Sequence, residues 1–150
     1  MYTYSPVMDY SEAVTFLAER ILREQSENPY LVLVNGWPRS GKSYFCRDIM
    51  GTISFKKEGL VTKPHDLERG LREHKNSRYY LIENHDDHLV VVNMETHKLL
   101  GKGIDFNIFI LNNLAEILSP PEFSLERMLE CFDLIVENHD GKFELSGYYR

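Results

Sequence analysis

Leu31-Val32-Leu33-Val34-Asn35-Gly36-Trp37-Pro38-Arg39-Ser40-Gly41-Lys42-Ser43 is the stretch on which the reading of this chain turns. Its last eight residues fit G-x-x-x-x-G-K-[ST] and follow directly on an apolar run. Leu31 to Val34 is rich in leucine and valine without alternation, the pattern of a strand buried on both faces of a parallel sheet. Lys42 to Met50 reads as a short helix closed by Gly51. Glycines between strand and helix let successive N–H groups turn inward, and the helix start adds its positive end, so a polyphosphate fits the concavity. Lys42 is then expected to reach the β/γ-phosphate oxygens, and the Ser43 hydroxyl to take one place on an octahedral Mg²⁺. Without the flanking strand and helix, the same letters describe only a glycine-rich turn with a solvated lysine. Arg39 either restricts the loop or contacts a phosphate.

Working outward, Asp9-Tyr10-Ser11-Glu12 has the form of a capping box, and Val14, Leu17, Ala18, Ile21 and Leu22 recur at helical spacing until Asn28-Pro29. On the other side, either Ile53-Ser54-Phe55 or Leu60-Val61-Thr62 supplies the second strand, and Pro64 opens a short helical pattern through Leu67 and Leu71 to His74. Tyr79-Tyr80-Leu81-Ile82 and Leu89-Val90-Val91-Val92 are strand signals, and Ile104 to Ile110 alternates. Asn112 to Leu118 and Glu122 to Cys131 read as helical, and Phe132-Asp133-Leu134-Ile135-Val136 is the last strong strand. The alternation predicts an α/β fold of three layers around a mainly parallel sheet. No linker or low-complexity stretch divides the 150 residues, so they read as one domain.

A chain of this length can bury about two thirds of its unfolded surface without a disulfide or structural metal. Hydrophobic residues at 43% and charged residues at 27% are ordinary for a soluble protein, and no apolar run reaches the length of a membrane span. Met1 to Asp9 lacks the basic and apolar regions of a signal peptide, so cytoplasmic residence is expected. A net charge of −6 argues against general nucleic-acid binding, which needs a broad basic surface. Cys46 and Cys131 show no C-x-x-C spacing and read as buried, reduced thiols.

In an open parallel sheet, ligands bind beyond the carboxyl ends of the strands, so polar residues at strand exits are the candidates for chemistry. Glu83 follows Tyr80-Leu81-Ile82, where an acid can orient Mg²⁺ or activate an attacking hydroxyl; a solvated acid at a strand exit is the alternative. Asp66 lies between the loop helix and the Tyr79 strand, either as a catalytic aspartate or as a helix-start residue favoured by the dipole. His85-Asp86-Asp87-His88 has metal-binding residue types, but adjacent turn residues seldom converge on one ion, and the segment reads as a solvated acidic turn. Arg39, Arg69, Arg72, Arg78 and Arg127 are the cations that could meet a moving phosphoryl group. Glu-Asn-His-Asp occurs after both Ile82 and Val136, too short an echo to establish a duplicated unit. Tyr148-Tyr149-Arg150 is either a partner contact, with another protein or a second copy, or a frayed end.

From Ser11 through Ser43, a capped helix, a proline, an apolar strand and Gly-Trp-Pro-Arg-Ser-Gly-Lys-Ser, the chain resembles the opening of P-loop kinases of nucleosides and small molecules, particularly uridine-kinase-like proteins. Ile104 to Ile110 and Phe132 to Asn138 look like the last two core strands of that group. The resemblance implies a P-loop NTPase fold that binds ATP and Mg²⁺ and transfers phosphate to a nucleoside or small hydroxylated metabolite. It implies that Gly36, Trp37, Pro38, Arg39, Ser40, Gly41, Lys42, Ser43 and Tyr44 surround the phosphates, with Asn138 near the adenine. Lys42, Glu83 and Asp66 are then the catalytic candidates, and Ser43 and Glu83 the metal-side residues. No Asp-x-Asp follows the second strand, and no arginine-rich lid lies between the final strands. A nucleotide-binding adaptor that has lost phosphoryl transfer is therefore the second reading. No Asn-Lys-x-Asp is present to read guanine, which favours ATP over GTP.

Overall fold

Among the described residues, seven strands form one sheet in the order β1-β7-β6-β5-β2-β4-β3. The structure is a computed structural model, which describes residues 3–5, 10–24, 28–36, 40–54, 56–85, 103–111, 132–138 and 145–149. In chain order the elements are β1 (Thr3–Ser5), α1 (Tyr10–Arg23), β2 (Tyr30–Gly36), α2 (Lys42–Ile53), β3 (Gly59–Thr62), a 3-10 turn (Pro64–Asp66), α3 (Leu67–Glu73), β4 (Tyr79–Glu83), β5 (Phe106–Leu111), β6 (Leu134–Asn138) and β7 (Leu145–Tyr149).

The five strands β3, β4, β2, β5 and β6 run parallel. All seven residues of β2 and all five of β4 are buried, as two-faced apolar runs in the middle of a covered sheet must be. Val32, Val34, Tyr79, Leu81, Phe106 and Ile108 pack with α1 and α2 on one face. Leu31, Leu33, Tyr80 and Ile82 pack with Leu67 of α3 on the other. Helices on both faces make the described architecture α/β. The chain moves outward from β2 through α2 to the edge strand β3, then back through α3 to β4; because parallel crossovers are right-handed, that reversal puts α3 opposite α2.

Of the two candidates for the second strand, Gly59–Thr62 forms it, whereas Ile53 ends α2. Gly51 does not close α2: it lies inside the helix, exposed, and the Ser54 N–H caps the Met50 carbonyl three residues later. Tyr148 and Tyr149 are not a frayed end. Leu145–Tyr149 is a strand inserted between β6 and β1, antiparallel to both. The Leu89 to Val92 strand, the two helical patterns within 112–131 and loop residues Trp37, Pro38 and Arg39 lie outside the described residues. Among the described residues, no helix is long and apolar enough to cross a membrane.

The amino-terminal edge of the sheet carries a device used twice. Asp105 accepts the Leu31 N–H through Oδ2 at 2.8 Å and donates its own N–H to the Leu31 carbonyl at 2.9 Å. Asp133 does the same to Asn107, at 2.8 and 2.9 Å. Each aspartate fixes the register of the parallel pair it precedes. The opposite, carboxyl edge therefore brings the ends of β2, β4, β3, β5 and β6 together at Gly36, Glu83, Thr62, Leu111 and Asn138.

Candidate functional site

Strand parity determines what meets at that edge. Tyr79 and Leu81 point to the α2 face, so Glu83, two residues on, follows them, while Asn84 faces the α3 side with Tyr80 and Ile82. The register Val34↔Glu83 sets the carboxylate level with the last turn of β2 before the loop. Gly36 ends β2 opposite Ile110, and a Cβ there would sit 2.4 Å from Ser40 Oγ and 2.8 Å from the Ile110 carbonyl oxygen. Only glycine lets the loop fold back this closely. Gly41, at φ 94°, makes the left-handed turn into α2 and supplies no side-chain cap to the helix start.

Lys42 is buried to 6% exposure, and its Nζ donates to the Gly36 carbonyl at 2.6 Å. A buried ammonium needs compensation. Here the side chain reaches back from the start of α2 to the end of β2. Ser40 is buried beside it.

Glu83 is also buried, at 7% exposure, and its carboxylate gathers three neighbours from two elements. The Ser43 hydroxyl donates to Oε2 at 3.4 Å, and His85 Nε2 lies 2.6 Å from the same oxygen. The Cys46 thiol, one helical turn beyond Ser43, is buried within reach of the Glu83 charge. Burial pushes the thiol well up, and the Glu83 charge pushes it further, while Lys42 acts in the opposite sense. Behind this group, Asn84 Nδ2 donates to Asn35 Oδ1 at 3.0 Å and the Asn84 N–H to the Val34 carbonyl at 3.0 Å, tying the exit of β4 to that of β2.

The described residues expected from the sequence do not all meet. Gly36, Ser40, Gly41, Lys42, Ser43 and Glu83 converge. Asp66 lies past the end of β3 on the same edge, but its carboxylate pairs with Arg69 at 3.3 Å and His65 at 3.4 Å, not with the Ser43–Glu83 group. Asn138 ends β6 at that edge. Tyr44 follows Ser43 and is 52% exposed. His85, Cys46 and the Asn35–Asn84 pair are what sequence reasoning missed. Parity marks Cys46 only once α2 is known to cross over β4, and His85 lay hidden in what read as a solvated turn.

The arrangement has two chemical capacities. A glycine cradle that a Cβ would fill, a helix start without a side-chain cap and a buried ammonium together suit an anion. A hydroxyl and a carboxylate 3.4 Å apart suit a small hard cation, whose adjacent octahedral ligands lie about 3 Å from one another. Among the described residues, no group of three or more His, Cys, Asp and Glu side chains forms a metal site by itself. A cation held by Ser43 and Glu83 therefore needs its other ligands from the anion and water. Comparison with known protein families and with curated proteins finds no match for this sequence.

Proposed function

We propose that this chain has a P-loop NTPase fold, binds Mg·ATP at the carboxyl edge of its parallel sheet and transfers the γ-phosphoryl group to the hydroxyl of a nucleoside or small metabolite. The observation that carries this reading is the joining of Ser43 to Glu83 beside the buried Lys42. Motif, helix start and neighbouring strand exit provide the phosphate-binding and metal-binding halves of one site.

In this reading the loop from Gly36 to Ser43 seats the β- and γ-phosphates, and Lys42 leaves the Gly36 carbonyl to neutralise their oxygens. Bound Mg²⁺ supplies charge neutralisation and orientation of the phosphates, held by Ser43 and Glu83. His85 holds the Glu83 carboxylate in one orientation. The acceptor side falls to Asp66, on the neighbouring strand exit and one third exposed, where a carboxylate can take a hydroxyl proton. Transfer forms a bond from the acceptor oxygen to the γ-phosphorus and releases ADP.

Trp37 is the only tryptophan and stands inside the loop, so its fluorescence reports on the site. Titration of ATP and GTP with and without Mg²⁺ is expected to give a saturable, Mg²⁺-assisted ATP response that Lys42→Ala abolishes. No response, with calorimetry also finding no binding, overturns the reading. ATP binding without ADP formation across a panel of hydroxylated acceptors moves the chain to the adaptor role.

A further inference from the structure

The first turn of α2 carries one large side chain that the core does not use. Phe45, Cys46 and Ile49 turn inward, whereas Tyr44 and Arg47, three apart, share the outward face of the helix. Among the described residues Tyr44 is the exposed large hydrophobic side chain, at 52%. The Arg47 guanidinium lies over its ring, 5.2 Å from the centroid. Arg47 also lines an open groove of about 540 Å³ between α1 and α2, with Val14, Thr15, Asp48 and Thr52. An exposed aromatic ring with a cation over one face therefore stands on the first turn of α2, one residue beyond Ser43.

We propose that Tyr44, backed by Arg47, is the stacking platform for the base of the nucleotide, and that the ligand is a purine nucleoside triphosphate rather than a bare polyphosphate. The inference rests on the phosphate-loop reading above. The physical argument is one of shape and charge. A phenol ring offers a flat π face to any base, and a guanidinium stacked on it draws electron density from the ring while adding positive charge near the phosphates. Stacking reads the size of the ring system, so purines gain more than pyrimidines. Tyr44 is a positioning residue: it touches the base and not the reacting atoms.

The test compares MgATP, MgUTP and Mg-tripolyphosphate by calorimetry on the full chain and on Tyr44→Ala, Tyr44→Phe and Arg47→Ala. Tyr44→Ala is expected to weaken MgATP about 5- to 100-fold and to leave tripolyphosphate within twofold, with an unchanged thermal midpoint. Tyr44→Phe keeps the ring and is expected to keep the ATP affinity, Arg47→Ala to weaken it a few-fold, and wild type to prefer ATP to UTP. An ATP affinity unchanged in Tyr44→Ala, or an equal loss for ATP and tripolyphosphate, overturns the platform while leaving the phosphate loop intact. Wild-type protein that binds neither ligand overturns the loop reading and the platform with it.

Discussion

The Ser43 hydroxyl meets the Glu83 carboxylate at 3.4 Å, joining the first turn of α2 to the exit of the strand beside β2 across 40 residues of sequence. Strand order makes this possible. Because β4 returns next to β2 instead of continuing outward past β3, an acid at its end falls beneath the helix that β2 launches. Glu83→Gln keeps the side-chain volume and removes the charge. It is expected to weaken ATP binding in the presence of Mg²⁺ by about 10- to 100-fold and to leave the Mg²⁺-free affinity nearly unchanged. Calorimetry with and without the metal measures both; equal losses in the two conditions would show that Glu83 acts on loop structure and not on the cation.

Gly36 at the end of β2 and Gly51 inside α2 are expected to respond in opposite directions. At Gly36 a methyl group overlaps the Ser40 hydroxyl and the Ile110 carbonyl, so Gly36→Ala is expected to cost about 2–4 kcal/mol of stability. At Gly51 a Cβ would meet nothing within 4 Å, and the position is helical. Gly51→Ala is expected to stabilise by about 0.5–1 kcal/mol. Urea unfolding of the two variants gives the comparison. A stable Gly36→Ala would mean that the loop does not fold back on the end of β2.

These positions also show how far the sequence could be read. The Gly36 to Ser43 motif is local: the strand before it and the helix after it lie within about twenty residues, and each carries its own signal. The strands β2, β4 and β6 were visible because buried parallel strands are continuous apolar runs, and β5 because Ile104 to Ile110 alternates. β1 and β7 were not, because three residues and the short stretch Leu-Ser-Gly-Tyr-Tyr acquire strand character only from pairing with one another and with β6. Gly51 read as a helix end because glycine is a weak helix former, yet the apolar face continues to Ile53, and burial of that face outweighs the local preference. Glu83 could be named from its place after a strand. That Ser43 and His85 would share its carboxylate depends on a crossover that periodicity does not encode.

Stability is expected to fall as the pH rises above about 9. Burial pushes up the Cys46 thiol, whose ordinary value is 9.0, and the Tyr10, Tyr30, Tyr79 and Tyr80 phenols, whose ordinary value is 10.0. The Asp48 carboxylate, which accepts the Tyr10 hydroxyl hydrogen bond, adds to the rise at Tyr10; the Arg20 guanidinium offsets part of it at Tyr30. Each folded-state value lies above the unfolded one, so the unfolded chain releases these protons first and the contribution, complete below pH 9, is lost as the pH climbs. Lys57, held below its ordinary 10.5 by burial and by Arg78, opposes this with a single group. Urea midpoints at pH 7, 9 and 10.5 are expected to decrease in that order. In a Cys131→Ser background, Cys46 is expected to resist a small alkylating reagent at pH 8.5 until the chain is unfolded; labelling at the rate of a free thiol in folded protein would contradict its burial.

The paired aspartates at the amino-terminal edge predict a loss of stability separate from ligand binding. Asp105 holds the start of β2 through a bond to the Leu31 N–H, and Leu31 is five residues, or about 16 Å at roughly 3.3 Å per residue, from Gly36. Asp105→Ala leaves that N–H without its carboxylate acceptor at a buried strand and is expected to cost about 1–3 kcal/mol. Asp105→Asn retains an oxygen at the same reach and is expected to cost less. Because the two parallel strands stay registered by their remaining ladder bonds, MgATP affinity measured below the unfolding transition is expected to stay within twofold of wild type in both variants. Asp133→Ala gives a parallel case, since its carboxylate serves Asn107 in the same way at 2.8 Å. If either alanine variant unfolds as wild type does, the aspartates are not register locks; if it instead loses ATP binding at full stability, the edge is coupled to the phosphate loop through β2.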